Sequence, residues 1–281
     1  MTSLLATAVR FLILTHWLTQ WVINPCKLDM AYNAFDDQYK GCIELMDKKA
    51  PQLLKQELEV NKKFKEKWEN AQRRWKEIKS RVGSSKLLSD LQGTALVAYT
   101  GEIATEFNKA VREFRQHPEN FQFKAFHYYL TRALQLLRTN ECRTVYRGIT
   151  IKCQHSGGKV RFGQFASSSK DINVAKRYIK NGTGTLFTIK TCLGVPIKSF
   201  AFNPNEDEVL IPGYEVFRQV TVKNINTSYN EVSLENPQEL TSNYDCTYSS
   251  EQVNGVGAEE IKGLKGFTQM GPFRHMQRDD A

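Results

Sequence analysis

Apolar positions recur at helical intervals through the first half of the chain. In residues 39–82, rich in Lys, Glu, Leu and Gln, they are Leu53, Leu54, Leu58, Phe64, Trp68, Trp75 and Ile78. Trp68 and Trp75 stand one heptad apart, the spacing of core residues rather than of a ligand site. Pro51 suits the first turn of a helix. Residues 95–114 predict a second helical region, and 123–137 (FKAFHYYLTRALQLL) a third, buried on much of its surface. After Arg138 the pattern changes. Thr139-Asn140-Glu141 is a turn signal, and short β-type segments bounded by Gly, Pro and Asn follow at 143–146, 150–154, 158–162, 184–191, 195–200, 208–211, 214–222 and 231–234. Helices first and strands after define an α+β chain, with a helical part at about 35–138 and a β part at about 143–246. No internal repeat is visible.

The length of 281 residues and a hydrophobic content of 41% allow a substantial core and exclude a disordered chain. The formal net charge is +9, but acids lie among the bases, as in residues 62–79. The charge therefore reads as solubility, and no nucleic-acid partner is expected. Residues 1–25 read as a signal peptide. Arg10 precedes an apolar run interrupted by Thr15, His16, Thr19 and Gln20, too short and broken to span a membrane. A retained amphipathic helix is the alternative. Residues 251–281 are a polar, Gly-rich tail without the hydrophobic end of a GPI signal, so a single domain over 26–250 is expected to be secreted, with the cell surface as alternative and no transmembrane span in the mature chain.

Six cysteines fit an oxidising compartment: Cys26, Cys42, Cys142, Cys153, Cys192 and Cys246. None forms a CxxC pair, no zinc spacing appears, and six cysteines leave fifteen pairings open. Sequons at Asn181 and Asn226 are candidate glycosylation sites.

Three segments carry candidate chemistry. In Val145-Tyr146-Arg147-Gly148, an arginine at the end of a strand can hold a diphosphate bidentately, and the glycine lets a ligand approach the backbone. A lone strand arginine is more commonly a surface ion pair. In Phe165-Ala166-Ser167-Ser168-Ser169, small hydroxyls can serve a sugar or a carboxylate, though serine runs are usually loops and Ser169 could cap a helix. In residues 205–212 (NEDEVLIP) acids run directly into an apolar strand. If strand geometry extends back to Glu206, then Glu206 and Glu208 share a face, a costly arrangement unless a ligand or reaction uses it. A solvated acidic turn is the bland alternative.

Taken together, the arginine, the serines and the Glu-x-Glu resemble the R-S-ExE signature of arginine-specific ADP-ribosyltransferases. Residues 34–39 (AFDDQY), 124–137, 161–169 and 208–212 look like the vertebrate ecto-mono-ADP-ribosyltransferases, and most like their T-cell group, over about 28–246. The resemblance implies a mainly antiparallel β-sandwich core after the helical region. It implies NAD⁺ as co-substrate without a metal, and arginine-bearing, extracellular or cell-surface proteins as acceptors. Arg147 would contact NAD⁺ along its phosphates or nicotinamide ribose, Gly148 would lie against the nicotinamide amide, and Ser167 would orient the catalytic Glu208. Glu206 would mark arginine acceptors, and Tyr178 is the nearest candidate for an aromatic stacking on nicotinamide. The loop 201–205 would choose the acceptor. The implied disulfides are Cys42–Cys246 and Cys142–Cys192; a Cys26–Cys153 bridge or free thiols remain open. An NAD⁺ glycohydrolase with water as acceptor, and a catalytically inactive secreted binding protein, are the competing functions. Glu206 argues against the first, because relatives with Gln there favour hydrolysis.

Overall fold

The computed structural model describes residues 26–179, 182–225 and 229–249. The signal-peptide segment 1–25, the tail 251–281 and both sequon asparagines, Asn181 and Asn226, lie outside the described residues.

Among the described residues five α-helices precede the main sheet: α1 (Ile43–Val60), α2 (Lys62–Ile78), α3 (Asp90–Tyr99), α4 (Ile103–Glu113) and α5 (Lys124–Leu137). The single helical region expected over 39–82 is two helices. The chain breaks at Asn61, whose side chain accepts a hydrogen bond from the Phe64 amide at 2.9 Å and so caps α2. Pro51 lies inside α1, not in a first turn. A mid-helix proline costs about 3 kcal/mol or more. Met46, Ala50 and Leu54 are buried along one face of α1 on either side of it. The second region is likewise two helices, and α3 starts earlier than expected, at a reciprocal cap. Ser89 Oγ accepts from the Gln92 amide at 3.2 Å, and Gln92 Oε1 accepts from the Ser89 amide at 2.8 Å. Trp68 and Trp75 are buried core, and α5 is buried over most of its length.

The strands are β1 (Cys26–Leu28), β2 (Arg143–Ile149), β3 (Cys153–His155), β4 (Val160–Arg161), β5 (Ala166–Ser169), β6 (Gly184–Thr191), β7 (Val195–Pro196), β8 (Glu208–Ile211), β9 (Glu215–Asn224) and β10 (Tyr229–Glu239), with a sixth helix, α6 (Ile172–Arg177), between β5 and β6. Eight strands form one sheet in the order β4-β9-β10-β6-β2-β5-β8-β7, antiparallel except for β6 with β10. Its two halves join at β2 and β5 through a single residue pair, Tyr146 with Ser169. Both halves bury side chains in one apolar cluster that includes Val145, Phe187, Ile189, Val209, Ile211 and Phe217. β1 and β3 form a small parallel sheet of their own, which the sequence pattern did not suggest.

A second, larger cluster joins the helices to the other face of β5 and β8 through Phe165 and Leu210. Strand alternation therefore divides β8: Val209 and Ile211 face the sheet core, while Leu210 faces the helices. All six cysteines are bonded, as Cys26–Cys153, Cys42–Cys246 and Cys142–Cys192. Cys42–Cys246 ties residues 204 apart and so closes the domain end to end; such a bridge stabilises by roughly 2–5 kcal/mol. Among the described residues no helix is long and apolar enough to cross a membrane.

Candidate active site

The serine run is a strand, not the loop its composition suggests. β5 pairs antiparallel with β8, placing Ser167 opposite Leu210 and Ser169 opposite Glu208. The period of two then puts Ser167, Ser169, Glu208 and Leu210 on the face toward the helices. Asp171, not Ser169, caps α6, accepting from the Asn173 amide at 2.8 Å. Ser169 is used otherwise. Its hydroxyl donates to the Glu206 carbonyl at 2.7 Å and accepts from the Asp171 amide at 3.0 Å.

Strand geometry does not extend back to Glu206, contrary to the expectation from the Glu-x-Glu spacing. β8 begins at Glu208, and Glu206 ends a single 3-10 turn, Pro204–Glu206. Between them Asp207 adopts a left-handed backbone (φ 43°), a conformation costing about 1–2 kcal/mol in a non-glycine residue. The kink lets Glu206 turn outward while Glu208 stays buried in the strand. Asn203 holds the loop, accepting from the Asn205 amide and donating to Glu206 Oε1, both at 3.3 Å.

Glu208 is 8% exposed. Burial pushes its pKa above the usual carboxylate value; the Ser167 hydroxyl, hydrogen-bonded to it, and the Arg147 charge oppose that, and the Glu206 charge adds to it. Arg147 comes from β2. Its guanidinium donates to the Ser167 carbonyl at 2.5 Å, and burial holds its pKa below the usual arginine value. Gly148 follows. A Cβ there would meet the Ala175 carbonyl oxygen at 1.9 Å and Tyr178 Cβ at 3.3 Å. The space a side chain would need here is thus taken by α6. This close approach docks α6 on β2 and presents Tyr178 just beyond the helix. Tyr178 is 47% exposed. Its hydroxyl donates to both Glu206 oxygens, at 3.2 and 3.3 Å, and burial, followed by the Glu206 charge, raises its pKa.

Arg147, Gly148, Ser167, Tyr178, Glu206 and Glu208, far apart in sequence, thus meet at one end of the β2–β5–β8 region. Two helical residues join them that no local pattern marked. Tyr99 ends α3 and donates to the Phe165 carbonyl at 3.0 Å. Asn108 of α4 donates to the Tyr99 hydroxyl at 3.0 Å. Among the described residues no group of three or more His, Cys, Asp or Glu side chains could hold a metal ion.

The family profile described as NAD:arginine ADP-ribosyltransferase matches residues 28–242. The chain belongs to that family. It is 52% identical over 249 residues to mouse (Mus musculus) T-cell ecto-ADP-ribosyltransferase 2, covering 86% of each chain. It is 39% identical over 241 residues to the chicken (Gallus gallus) erythroblast NAD(P)(+)–arginine ADP-ribosyltransferase, covering 82% of this chain and 78% of that one. Among solved structures, a mutant of the eukaryotic mono-ADP-ribosyltransferase ART2.2 in complex with NADH superposes with a TM-score of 0.76 at 51% identity. A second mutant in complex with NAD gives 0.76 at 52%. Each match covers 80% of this chain and all of the other. These likenesses place the α+β architecture within the ADP-ribosyltransferase fold.

Proposed function

We propose that this protein cleaves the bond between nicotinamide and ribose in NAD⁺ and transfers ADP-ribose to arginine side chains of proteins. The observation that carries it is the convergence of Arg147, Ser167, Glu206 and Glu208, with Glu208 buried against Ser167 and Glu206 turned outward beside it. Its relatives' names, NAD:arginine and NAD(P)(+)–arginine ADP-ribosyltransferase, and the NAD and NADH held by the ART2.2 structures support the same chemistry.

In this reading the ribosyl C1′–N bond breaks with its electron pair moving to the nicotinamide ring, leaving an oxocarbenium-like ribose. The Glu208 carboxylate stabilises that charge and hydrogen-bonds a ribose hydroxyl, and Ser167 fixes its orientation. Arg147 holds the substrate along its phosphates. The backbone of Gly148 lies against the nicotinamide amide, and Tyr178 supplies an aromatic face for the ring. An acceptor guanidinium is protonated in water and a poor nucleophile. Glu206 orients it and takes a proton as its nitrogen attacks C1′, giving ADP-ribosyl-arginine, nicotinamide and a proton. The three disulfides suit an extracellular or cell-surface protein, as do relatives named ecto-enzymes, so acceptors are arginine-bearing proteins met there.

The test is disulfide-intact protein with labelled NAD⁺ and agmatine. ADP-ribosyl-agmatine with stoichiometric nicotinamide is the expected result. Nicotinamide release without agmatine labelling would turn the reading toward hydrolysis, and no turnover by folded protein would sink it.

A further inference from the structure

We propose that the Tyr178 hydroxyl is a positioning group for the acceptor side of the reaction, holding the Glu206 carboxylate in place to receive an arginine guanidinium. The inference rests on arginine being the acceptor. It gives Tyr178 a second role, since stacking on nicotinamide needs only an aromatic ring and leaves the hydroxyl unaccounted for.

The backbones of both residues are fixed by contacts outside the pair. The Tyr178 amide donates to the Ala175 carbonyl at 3.1 Å, and its Cβ lies close against Gly148 of β2. The Glu206 carbonyl accepts from the Ser169 hydroxyl at 2.7 Å, and left-handed Asp207 turns the chain from there into β8. Between these two anchors the Tyr178 hydroxyl donates to Oε1 and Oε2 of Glu206, at 3.2 and 3.3 Å. The Asn203 side chain donates to Oε1 from the other side of the loop. The end of α6 and the turn before β8 are thus joined at the carboxylate itself.

Both donors are neutral. Among the described residues no lysine, arginine or histidine lies within ion-pair distance of Glu206; Lys198 Nζ sits 3.9 Å from Asp207 instead. A neutral donor orients a carboxylate without cancelling its charge, so the charge stays available to a cation. A carboxylate has about four lone-pair sites, and those the two donors leave free can take the planar fork of a guanidinium. An unheld glutamate side chain samples several rotamers, and an acceptor would have to order it on arrival. Tyr178 is exposed and Glu206 partly so, which turns the pair toward the solvent from which a protein arginine comes.

The experiment compares disulfide-intact wild type with Tyr178→Phe, alone and combined with Glu206→Ala. Labelled NAD⁺ is turned over at increasing agmatine concentration, and ADP-ribosyl-agmatine and free ADP-ribose are counted in the same reaction. Loss of one orienting hydrogen bond predicts that Tyr178→Phe lowers the ratio of ADP-ribosyl-agmatine to free ADP-ribose about three- to tenfold. The KM for agmatine should rise by more than the KM for NAD⁺. In the Glu206→Ala background the same substitution should not move the ratio further, since the hydroxyl acts through that carboxylate. An unchanged or higher ratio in Tyr178→Phe overturns the proposal and leaves the transferase reading standing. An equal fall in the Glu206→Ala background also overturns it, because the hydroxyl then acts elsewhere. A KM for NAD⁺ that rises as far as the KM for agmatine overturns it as well, as the mark of a displaced ring. Wild type that cleaves NAD⁺ but forms no ADP-ribosyl-agmatine defeats the transferase reading itself.

Discussion

Asp36 and Glu208 are both buried carboxylates, 1% and 8% exposed, and the fold treats them in opposite ways. Asp36 is saturated. It accepts from the Arg161 guanidinium, from the Asn243 amide at 3.0 and 2.9 Å, from the Asn243 side chain at 3.1 Å and from the Tyr244 amide at 3.0 Å. It thereby binds β4 and the last described segment to the residues before α1. Glu57 is a second buried carboxylate with a structural use, receiving the first amides of α5, those of Lys124 and Ala125. Glu208 has the Ser167 hydroxyl, a like charge beside it at Glu206, and Arg147 too far for an ion pair. Charge that is fully paired holds the molecule together. Charge left short of partners, beside its own kind, is where binding and chemistry are to be sought.

Replacing one member of each group sharpens that contrast. Asp36→Ala leaves Arg161 buried without its counter-charge and should cost about 3–5 kcal/mol of stability. Denaturant unfolding would measure it, while turnover per folded molecule stays near wild type. Glu208→Gln should do the reverse, lowering nicotinamide release by about 10²–10³-fold, or about 2.7–4 kcal/mol of barrier. Its melting temperature should not fall, since a buried charge has been removed. A large loss of stability would place Glu208 with Asp36 instead. Glu206→Gln should reduce agmatine labelling by about a hundredfold while nicotinamide release persists; loss of both in parallel would mean that Glu206 serves the cleavage step.

The two groups should also separate in their pH dependence. The raised pKa of Glu208 means that turnover requiring its carboxylate is lost on acidification at a pH above that of an ordinary glutamate; a profile flat through that range would contradict its role. Glu57 is pushed up to about 7 by burial. A raised carboxylate pKa stabilises the fold fully below the unfolded value, 4.5, and that contribution is lost as pH rises through about 7. From about pH 6 to about pH 8 wild type should lose about 1 kcal/mol relative to Glu57→Gln. Equilibrium unfolding of both proteins at the two values would check it, and a constant difference would refute it.

Much of this architecture was legible beforehand. The helical spacing of Phe64, Trp68 and Trp75 marks core because a helix repeats every 3.6 residues whatever it packs against. β6 and β8 keep their expected bounds, Gly184–Thr191 and Glu208–Ile211, since apolar runs between turn residues leave little choice. The β5 strand was hidden because Ala166–Ser169 has no β-type composition; pairing with β8 makes it a strand. Pro51 was misplaced because local preference cannot weigh the burial of the α1 face around it. The geometry of Glu206 was misjudged for a related reason, as the alternation rule presumes a straight strand and Asp207 kinks it.

The sequence by itself determined that helices come first and strands after, the residue types able to perform the chemistry and the family they belong to, all of which depend on local periodicity or on short motifs in the chain. Only the tertiary structure decided that Cys26 pairs with Cys153, that α6 fills the space beside Gly148, and that Tyr99, held by Asn108, reaches the chain entering the serine strand. These are contacts between segments distant in sequence. Their geometry is set by how the helical layer closes on the sheet, and no stretch of chain carries that information alone.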